Sequence, residues 1–169
     1  MRISTGRNVI VETPLYRVRV VRFARPDSNK YLDPDGEAPH SLLFREVLTG
    51  ALSDLTDGWT VVVNIGLVEA ISAAFYRCLL AIRQHVLGIR GRVILCGSSP
   101  LHKEVFDLFQ AYRIFTIVST ESEALRIARA WLCDPVLSQP DYLPGTRINT
   151  TNLESRLPLH CSFWKSDST

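Results

Sequence analysis

The stretch TVVVNIGLVEAISAAFYRCLLAIRQHVLGIRGRVILCG, residues 60–97, decides the fold class. It opens with a β-branched run over residues 60–68 that is apolar on both sides, which is typical of a central strand covered on both faces. Residues 72–87 then carry apolar side chains at helical spacing, and residues 92–97 form a second buried strand. A strand, a helix and a strand in this order predict parallel strands joined by a right-handed crossover.

Towards the C-terminus the alternation continues. Pro100 is suited to the first turn of a helix over residues 101–112, and a short strand is predicted over 115–118. Thr120 can cap a further helix over 121–132. The spacing assigns the following residues to the core-facing sides of these two helices: Leu101, Val105, Leu108, Phe109 and Tyr112 in the first, and Leu125, Ala128 and Leu132 in the second.

Towards the N-terminus, residues 8–23 alternate in polarity around Pro14 and predict a two-stranded hairpin. Residues 25–39 are dense in turn formers and predict a long loop, and residues 41–55 carry an amphipathic helical stripe. The whole pattern predicts an α/β fold: a mixed sheet with an N-terminal hairpin, parallel central strands and about four helices.

The chain is expected to form one domain and a tail. Residues 1–132 can bury a single core, and 169 residues with 46% hydrophobic content lie within the usual single-domain range. Residues 133–169 are rich in Pro, Ser and Thr without a sustained apolar period, which predicts a flexible C-terminal tail. Phe163 and Trp164 stand out there as an aromatic pair that can dock on a surface.

Charge and composition exclude several classes of partner. The formal net charge is +2, and no run of like charges indicates nucleic-acid binding. No apolar stretch is long enough for a signal peptide or a membrane span, so we expect a cytoplasmic protein that does not bind membranes. The cysteines and histidines are too dispersed for a metal site, and no cofactor is predicted.

Catalysis is also not expected. The turns between strands and helices lack the glycine patterns that wrap phosphates or expose a nucleophile. The carboxylates Asp33, Asp35 and Glu37 cluster near prolines in a predicted loop, where solvated charges are common. The sequence therefore indicates a protein that is not an enzyme.

The segments VVVNIGLVEAISAAFYRCLLAIRQHVLGIRGRVILCGSSP, residues 61–100, and LHKEVFDLFQAYRIFTIVSTESEAL, residues 101–125, resemble the STAS domain, the anti-sigma factor antagonist family. In that family a strand ends in Asp-Leu-Ser, and Phe-Ile-Asp-Ser-Ser-Gly precedes a helix. Here Asn64, Ile65 and Gly66 occupy the first triplet, and residues 70–75, AISAAF, occupy the second. The resemblance implies a regulatory domain that binds a protein.

The departures from the family pattern bear on regulation. Ala73 stands where phosphorylated members carry Ser or Thr, and Ser72 stands where they carry an acidic residue. Either Ser72 takes the phosphate one residue early, or this member is not switched by phosphorylation; a third reading of Ser72 is a plain helix cap. Asn64 replaces the usual Asp, and Phe75 replaces a small glycine, which suggests a modified docking surface.

The predicted partner site is the turn from strand to helix at the carboxyl end of a parallel strand, where α/β proteins place ligand and partner sites. It comprises Val68, Glu69, Ala70, Ile71, Ser72, Ala73, Phe75 and Tyr76, with Ser72 as the candidate for phosphorylation. The resemblance implies an anti-sigma factor, a serine kinase or another STAS protein as partner, and the domain could form homo-oligomers. The alternative is a small-molecule or nucleotide sensor that uses the same loop.

Overall fold

A six-stranded mixed sheet forms the centre of the protein. The computed structural model describes residues 2–4, 9–23 and 47–133. The strands are β1 (Arg2–Ser4), β2 (Val9–Leu15), β3 (Val18–Phe23), β4 (Thr60–Asn64), β5 (Arg92–Cys96) and β6 (Thr116–Val118), and they lie side by side in chain order. The pairs β1/β2 and β2/β3 are antiparallel, while β3 to β6 are parallel. The predicted fold class is confirmed.

The helices connect the parallel strands, as the alternation predicts. They are α1 (Ala73–Gly88), α2 (Pro100–Leu108) and α3 (Glu121–Cys133), with a 3-10 turn at Ala111–Arg113 before β6. The described residues thus hold three α-helices, fewer than the expected four. Of the predicted helix at 41–55, residues 41–46 lie outside the described residues, and the remainder contains only a π-helical turn, Val47–Ala51.

A buried arginine gives a physical reason why residues 52–55 are not helical. The Arg19 guanidinium, only 4% exposed, donates to the carbonyl oxygen of Ala51 at 2.7 Å and to both carboxylate oxygens of Asp54 at 3.0 Å. A carbonyl that accepts from a side chain of the sheet is diverted from the helical ladder. Gly50, a poor helix former, precedes it.

The hairpin is as predicted, with an added strand that the sequence did not predict. Residues 16 and 17 turn the chain, and Arg17 takes a left-handed φ of 55° there. Pro14 lies beside the register shift between Glu12 and Leu15. The short strand β1 pairs only with residues 10–12 of β2, so the missing N–H of Pro14 interrupts no ladder on that side.

Each face of the sheet has its own apolar core. Alternate strand residues such as Val61 and Val63 point to α1, α2 and the π-helical turn, whereas Val62 and Ile94 point to α3. The long β-branched run is therefore covered on both sides, as its composition predicts. The parts of the predictions that fall at residues 5–8, 24–46 and 134–169, including Phe163, Trp164 and the flexibility of the tail, lie outside the described residues.

The predicted inward side of α2 is wrong at its two leucines and at Phe109 and Tyr112, which are 38% and 37% exposed, while Val105 packs against the core as predicted. His102 and Phe106 are buried, whereas Leu101 and Leu108 are 53% and 78% exposed. The prediction assumed one continuous helix to residue 112, but the helix ends at Leu108, and Gln110 takes a left-handed φ of 51°. Ser99 and His102 form a capping box, which places a histidine inward. In α3, Ala128 is buried as predicted, but Leu132 is exposed.

Replacement of core residues of α1 should destabilise the domain before it affects any binding. Leu79 and Ile82 are each 1% exposed, so Leu79→Ala or Ile82→Ala should cost about 2 to 5 kcal/mol of unfolding free energy. Urea denaturation measures this. Leu108→Ala is the matched control, because the same truncation on an exposed surface should change stability by less than about 0.5 kcal/mol. Equal losses for the two leucines would contradict the assigned faces.

Candidate functional site

The loop between β4 and α1, residues 65–72, lies at the carboxyl ends of the parallel strands. Its first part is held by backbone bonds: the Ile65 N–H donates to the Cys96 carbonyl at 3.0 Å, and the Val68 N–H donates to the Ile65 carbonyl at 3.0 Å. The Asn64 side-chain oxygen accepts the Gly66 N–H at 2.9 Å. These bonds fix where the chain leaves the sheet, so the loop is presented in one geometry.

Ser72 is the N-cap of α1. Its hydroxyl oxygen accepts the Phe75 N–H at 3.1 Å, and its carbonyl accepts the Tyr76 N–H at 2.9 Å. The residue is extended, with φ −77° and ψ 162°, and exposed. The capping interpretation of Ser72 is therefore confirmed by geometry. Phosphorylation of the same hydroxyl stays a prediction that this geometry does not test.

The eight residues predicted to contact a partner divide by exposure. Glu69, Ala70, Ser72 and Ala73 are exposed, and Val68 is half-buried. The other three, Ile71, Phe75 and Tyr76, belong to the core under α1. The Phe75 ring contacts Phe23 edge to face, and the Tyr76 ring stacks on Phe109 with centroids 4.6 Å apart. The three buried side chains anchor the loop to the core under α1, while the four exposed residues lie on the surface.

Two exposed leucines beside this loop were not singled out from the sequence. Leu67, within the loop, is 59% exposed, and Leu101, in the first turn of α2, is 53% exposed. The pattern offered no signal for Leu67 because it continues the apolar run of β4, and Leu101 was assigned to the core. Exposed leucines at the rim of a loop add apolar area that a partner can bury.

A polar network that the sequence analysis also missed holds the same edge together. Glu121, at the first position of α3, accepts from the Arg22 Nε at 2.7 Å and from the Asn64 side-chain amide at 2.7 Å. Arg22 also forms an ion pair with Glu12 at 2.8 Å. The ends of β3 and β4 are thereby tied to the helix on the opposite side of the sheet from α1.

The network gives a physical reason for an asparagine at position 64 where the resemblance implies an aspartate. The Asn64 amide donates with its nitrogen to Glu121 and accepts with its oxygen from the Gly66 N–H. An aspartate could accept only, and it would set a second carboxylate against Glu121. The sequence offered only a partial signal: Arg22 lies next to the last residue of β3, Asn64 ends β4, and Glu121 begins α3. Their pairing depends on β3 and β4 being adjacent in the sheet.

Two glycines bring the neighbouring loops into contact. Gly97 has φ +79°, and a Cβ atom on it would lie 2.7 Å from the Asn64 side-chain oxygen and 2.9 Å from the Gly66 nitrogen. A side chain at residue 97 would push the two loops apart. The β4/α1 loop and the β5/α2 loop therefore lie against each other at Gly66 and Gly97.

Two titratable groups of this edge have shifted pKa values. Hydrogen bonding from Arg22 lowers the pKa of Glu121, with Asn64 acting in the same direction, so the carboxylate stays ionised. Burial, with the Glu121 charge nearby, raises the pKa of the Cys96 thiol to about 12, and a thiol in that state is a poor nucleophile. Among the described residues no cluster of three or more His, Cys, Asp or Glu side chains is arranged to hold a metal ion.

Solved structures with the same arrangement come from proteins described as anti-sigma factor antagonists. A Thermotoga maritima protein provisionally assigned to that class matches with a TM-score of 0.52 and 18% identity over 70% of this chain and 92% of the other. The NMR structure of that protein matches with a TM-score of 0.52 and 20% sequence identity, and the match covers 70% of this chain and 86% of the other. A STAS domain protein of Planctomyces limnophilus matches with a TM-score of 0.51 and 21% sequence identity, and the match covers 69% of this chain and 94% of the other.

These likenesses establish the fold. No family model matches the sequence, and no curated protein matches it. In the described part of the chain, no helix has the length and apolar character of a membrane span. The chain has the STAS fold.

The Glu121 network should make stability depend on pH in a defined way. The folded pKa of Glu121 lies below its ordinary value of 4.5, so its contribution is present above that value and is lost as the pH falls through the folded pKa. Glu121→Gln should therefore be less stable than the parent at pH 7, and the difference should shrink below about pH 4.5.

Urea unfolding from pH 3 to 7 measures that difference. Glu104→Gln is the matched control, since Glu104 is exposed on α2 and has no ion pair among the described residues. It should leave the network intact and track the parent at every pH. A constant gap between Glu121→Gln and the parent across this range would show that the carboxylate charge is not what stabilises the edge.

Proposed function

We propose that this STAS-fold domain is a non-enzymatic regulatory module of the cytoplasm that binds a protein partner through residues 68–75. The proposal rests on the loop at the carboxyl ends of the parallel strands, which is held by hydrogen bonds. Four of its residues are exposed: Glu69, Ala70, Ser72 and Ala73. The partner we propose is an anti-sigma factor, a serine kinase or another STAS protein, and the similar structures, which are named as anti-sigma factor antagonists, support a protein partner of this kind.

Apolar and polar groups combine on this surface in the way protein interfaces require. Leu67 and Leu101 are exposed apolar side chains that a partner can bury, and the β4/α1 and β5/α2 loops lie against each other at Gly66 and Gly97. Interfaces commonly gain most of their affinity from a few such anchors, with a polar rim around them. A loop that is already ordered also loses less entropy on binding than one that must fold.

We further propose that binding at this loop proceeds without phosphorylation. Ala73 occupies the family's acceptor position, and the hydroxyl of Ser72 already serves as a cap. A phosphate on Ser72 would be tolerated by the helix N-terminus, which favours negative charge. It would nevertheless have to be desolvated at an interface, so its effect would be on docking.

Substitutions at Ser72 test the docking surface once a partner has been isolated from the native host and identified. Ser72→Glu should weaken its binding at least about tenfold, because the added charge must be desolvated, while the fold is kept. Ser72→Ala should keep binding and cost about 1 kcal/mol of stability through the lost cap. Titration calorimetry and urea unfolding measure the two effects.

Thr120 offers a matched control, because its hydroxyl accepts the Glu123 N–H at 3.2 Å and caps α3 in the same way. Thr120→Ala should lose similar stability, and Thr120→Glu should leave partner binding unchanged. Equal affinity for the parent and Ser72→Glu would place the docking surface elsewhere. A phosphorylated Ser72 peptide in mass spectra of native protein would contradict regulation without phosphate, and a thermal shift with nucleotides would favour the sensor alternative.

A further inference from the structure

Exposed arginines lie at the end of the sheet where the parallel strands begin, opposite the β4/α1 loop. Arg17 lies in the turn before β3, Arg90 in the loop between α1 and β5, and Arg113 at the end of the 3-10 turn before β6. All three are exposed, and none forms an ion pair with a described residue. Together these three residues are the arginine edge of the sheet.

Backbone hydrogen bonds hold the turns of this edge side by side. The Thr60 N–H donates to the Arg17 carbonyl at 2.9 Å, and the Gly58 N–H donates to the Ile89 carbonyl at 2.9 Å. Neighbouring strands lie roughly 5 Å apart, so the backbones of Arg17 and Arg90, on either side of β4, are separated by roughly 10 Å. The surface is ordered before a partner arrives, which limits the entropy lost on binding.

Exposed apolar groups accompany two of the arginines. The Arg17 guanidinium lies 5.3 Å from the centre of the Tyr16 ring, and Tyr16 is 78% exposed. The same guanidinium extends over the neighbouring turn, because its Nη1 atom lies 3.6 Å from the point where a Cβ atom on Gly58 would sit. The Arg90 N–H donates at 2.9 Å to the carbonyl of Leu87, whose side chain is 41% exposed. Each of these arginines therefore has exposed apolar surface beside it.

Arg17 and Arg90 also share an unfavourable backbone conformation. Their φ angles are 55° and 52°, and they are two of the three described residues other than glycine with a positive φ. That conformation disfavours a residue with a Cβ atom, and glycine or asparagine is preferred there. Strained positions of this kind cluster at functional sites. Arginine at both positions favours a role for the guanidinium groups.

Positive charge exceeds negative charge at this end of the sheet. Its turns and the residues next to them comprise residues 14–17, 54–60, 87–92 and 107–115, and their charged residues are four arginines and three aspartates: Arg17, Arg90, Arg92, Arg113, Asp54, Asp57 and Asp107. Asp54 is already bound by the buried Arg19. The exposed Asp57 and Asp107 form no ion pair with a described residue. A partner complementary to this surface therefore carries an excess of carboxylates.

We propose that the arginine edge binds an acidic segment of a protein partner that also carries an apolar side chain. Carboxylates of the segment bind the guanidinium groups of Arg17 and Arg90, and the apolar side chain packs on Tyr16. Arginine and tyrosine are enriched among the residues that dominate binding energy at protein interfaces. A small basic patch on a chain of formal net charge +2 suits a peptide better than a nucleic acid, which needs a longer basic surface. This surface lies at the opposite end of the sheet from residues 68–75, so the domain can bind two partners at once.

Fluorescence anisotropy of the full chain with a labelled probe tests the proposal. The probe is a short peptide of glutamates with one central tryptophan, in about 0.1 M salt, where charges more than about 10 Å apart are largely screened. Arg17→Asn with Arg90→Asn should weaken binding at least about tenfold, because asparagine removes the guanidinium yet suits the left-handed backbone. Urea unfolding should find this variant no less stable than the parent. Arg77→Gln with Lys103→Gln is the matched control, since it removes the same charge from exposed positions on α1 and α2 and should leave binding unchanged.

Several outcomes would overturn the proposal. Failure of the parent to bind the probe, or an equal loss of affinity in the control variant, would show that the arginine edge is not a specific site. Equal binding of a probe with alanine in place of tryptophan would remove the apolar contact. Tighter binding of single-stranded DNA of equal charge, or of vesicles containing phosphatidylserine, would assign the surface to another class of partner. A dimer in sedimentation velocity that the asparagine variant loses would assign it to a second copy of this chain.

Discussion

The carboxylate of Glu121 holds together the edge of the sheet that carries the candidate site. It receives Arg22 from the end of β3 and Asn64 from the end of β4, and it sits in the first turn of α3, where the helix dipole favours negative charge. Because Asn64 also accepts the Gly66 N–H, the same carboxylate helps to position the start of the β4/α1 loop. A residue far from the loop in sequence therefore contributes to holding it.

A second charged residue has an equivalent role on the other face. Arg19 is buried and binds Ala51 and Asp54, and its guanidinium lies 5.1 Å from the centre of the Trp59 ring. These contacts hold the segment before β4 against the sheet. Buried ionic groups are costly unless their partners are well placed, so each fixes one arrangement of its surroundings. β3, which carries both arginines, thus joins the hairpin to the α/β unit.

The sequence predicted those parts of the fold that follow from periodicity. Local patterns predicted the β-branched strand β4, the cap at Ser72 and the alternation of strands and helices. They did not predict the inward side of α2, since Leu101 and Leu108 lie on a short helix that buries His102 and Phe106 instead. The Glu121 network was not predicted either, because pairing between residues 22, 64 and 121 arises only when the strands are adjacent.

The rigidity of the loop determines how a charge at Ser72 would act. The backbone there is held by the cap, by the bonds of Ile65 and Val68, and by the contact between Gly66 and Gly97. A phosphate or a glutamate at Ser72 would find amides at the helix start and would have little reason to refold the loop. Its effect on binding would come from desolvation and repulsion at the interface. With a fixed loop, such a modification would change affinity without changing conformation.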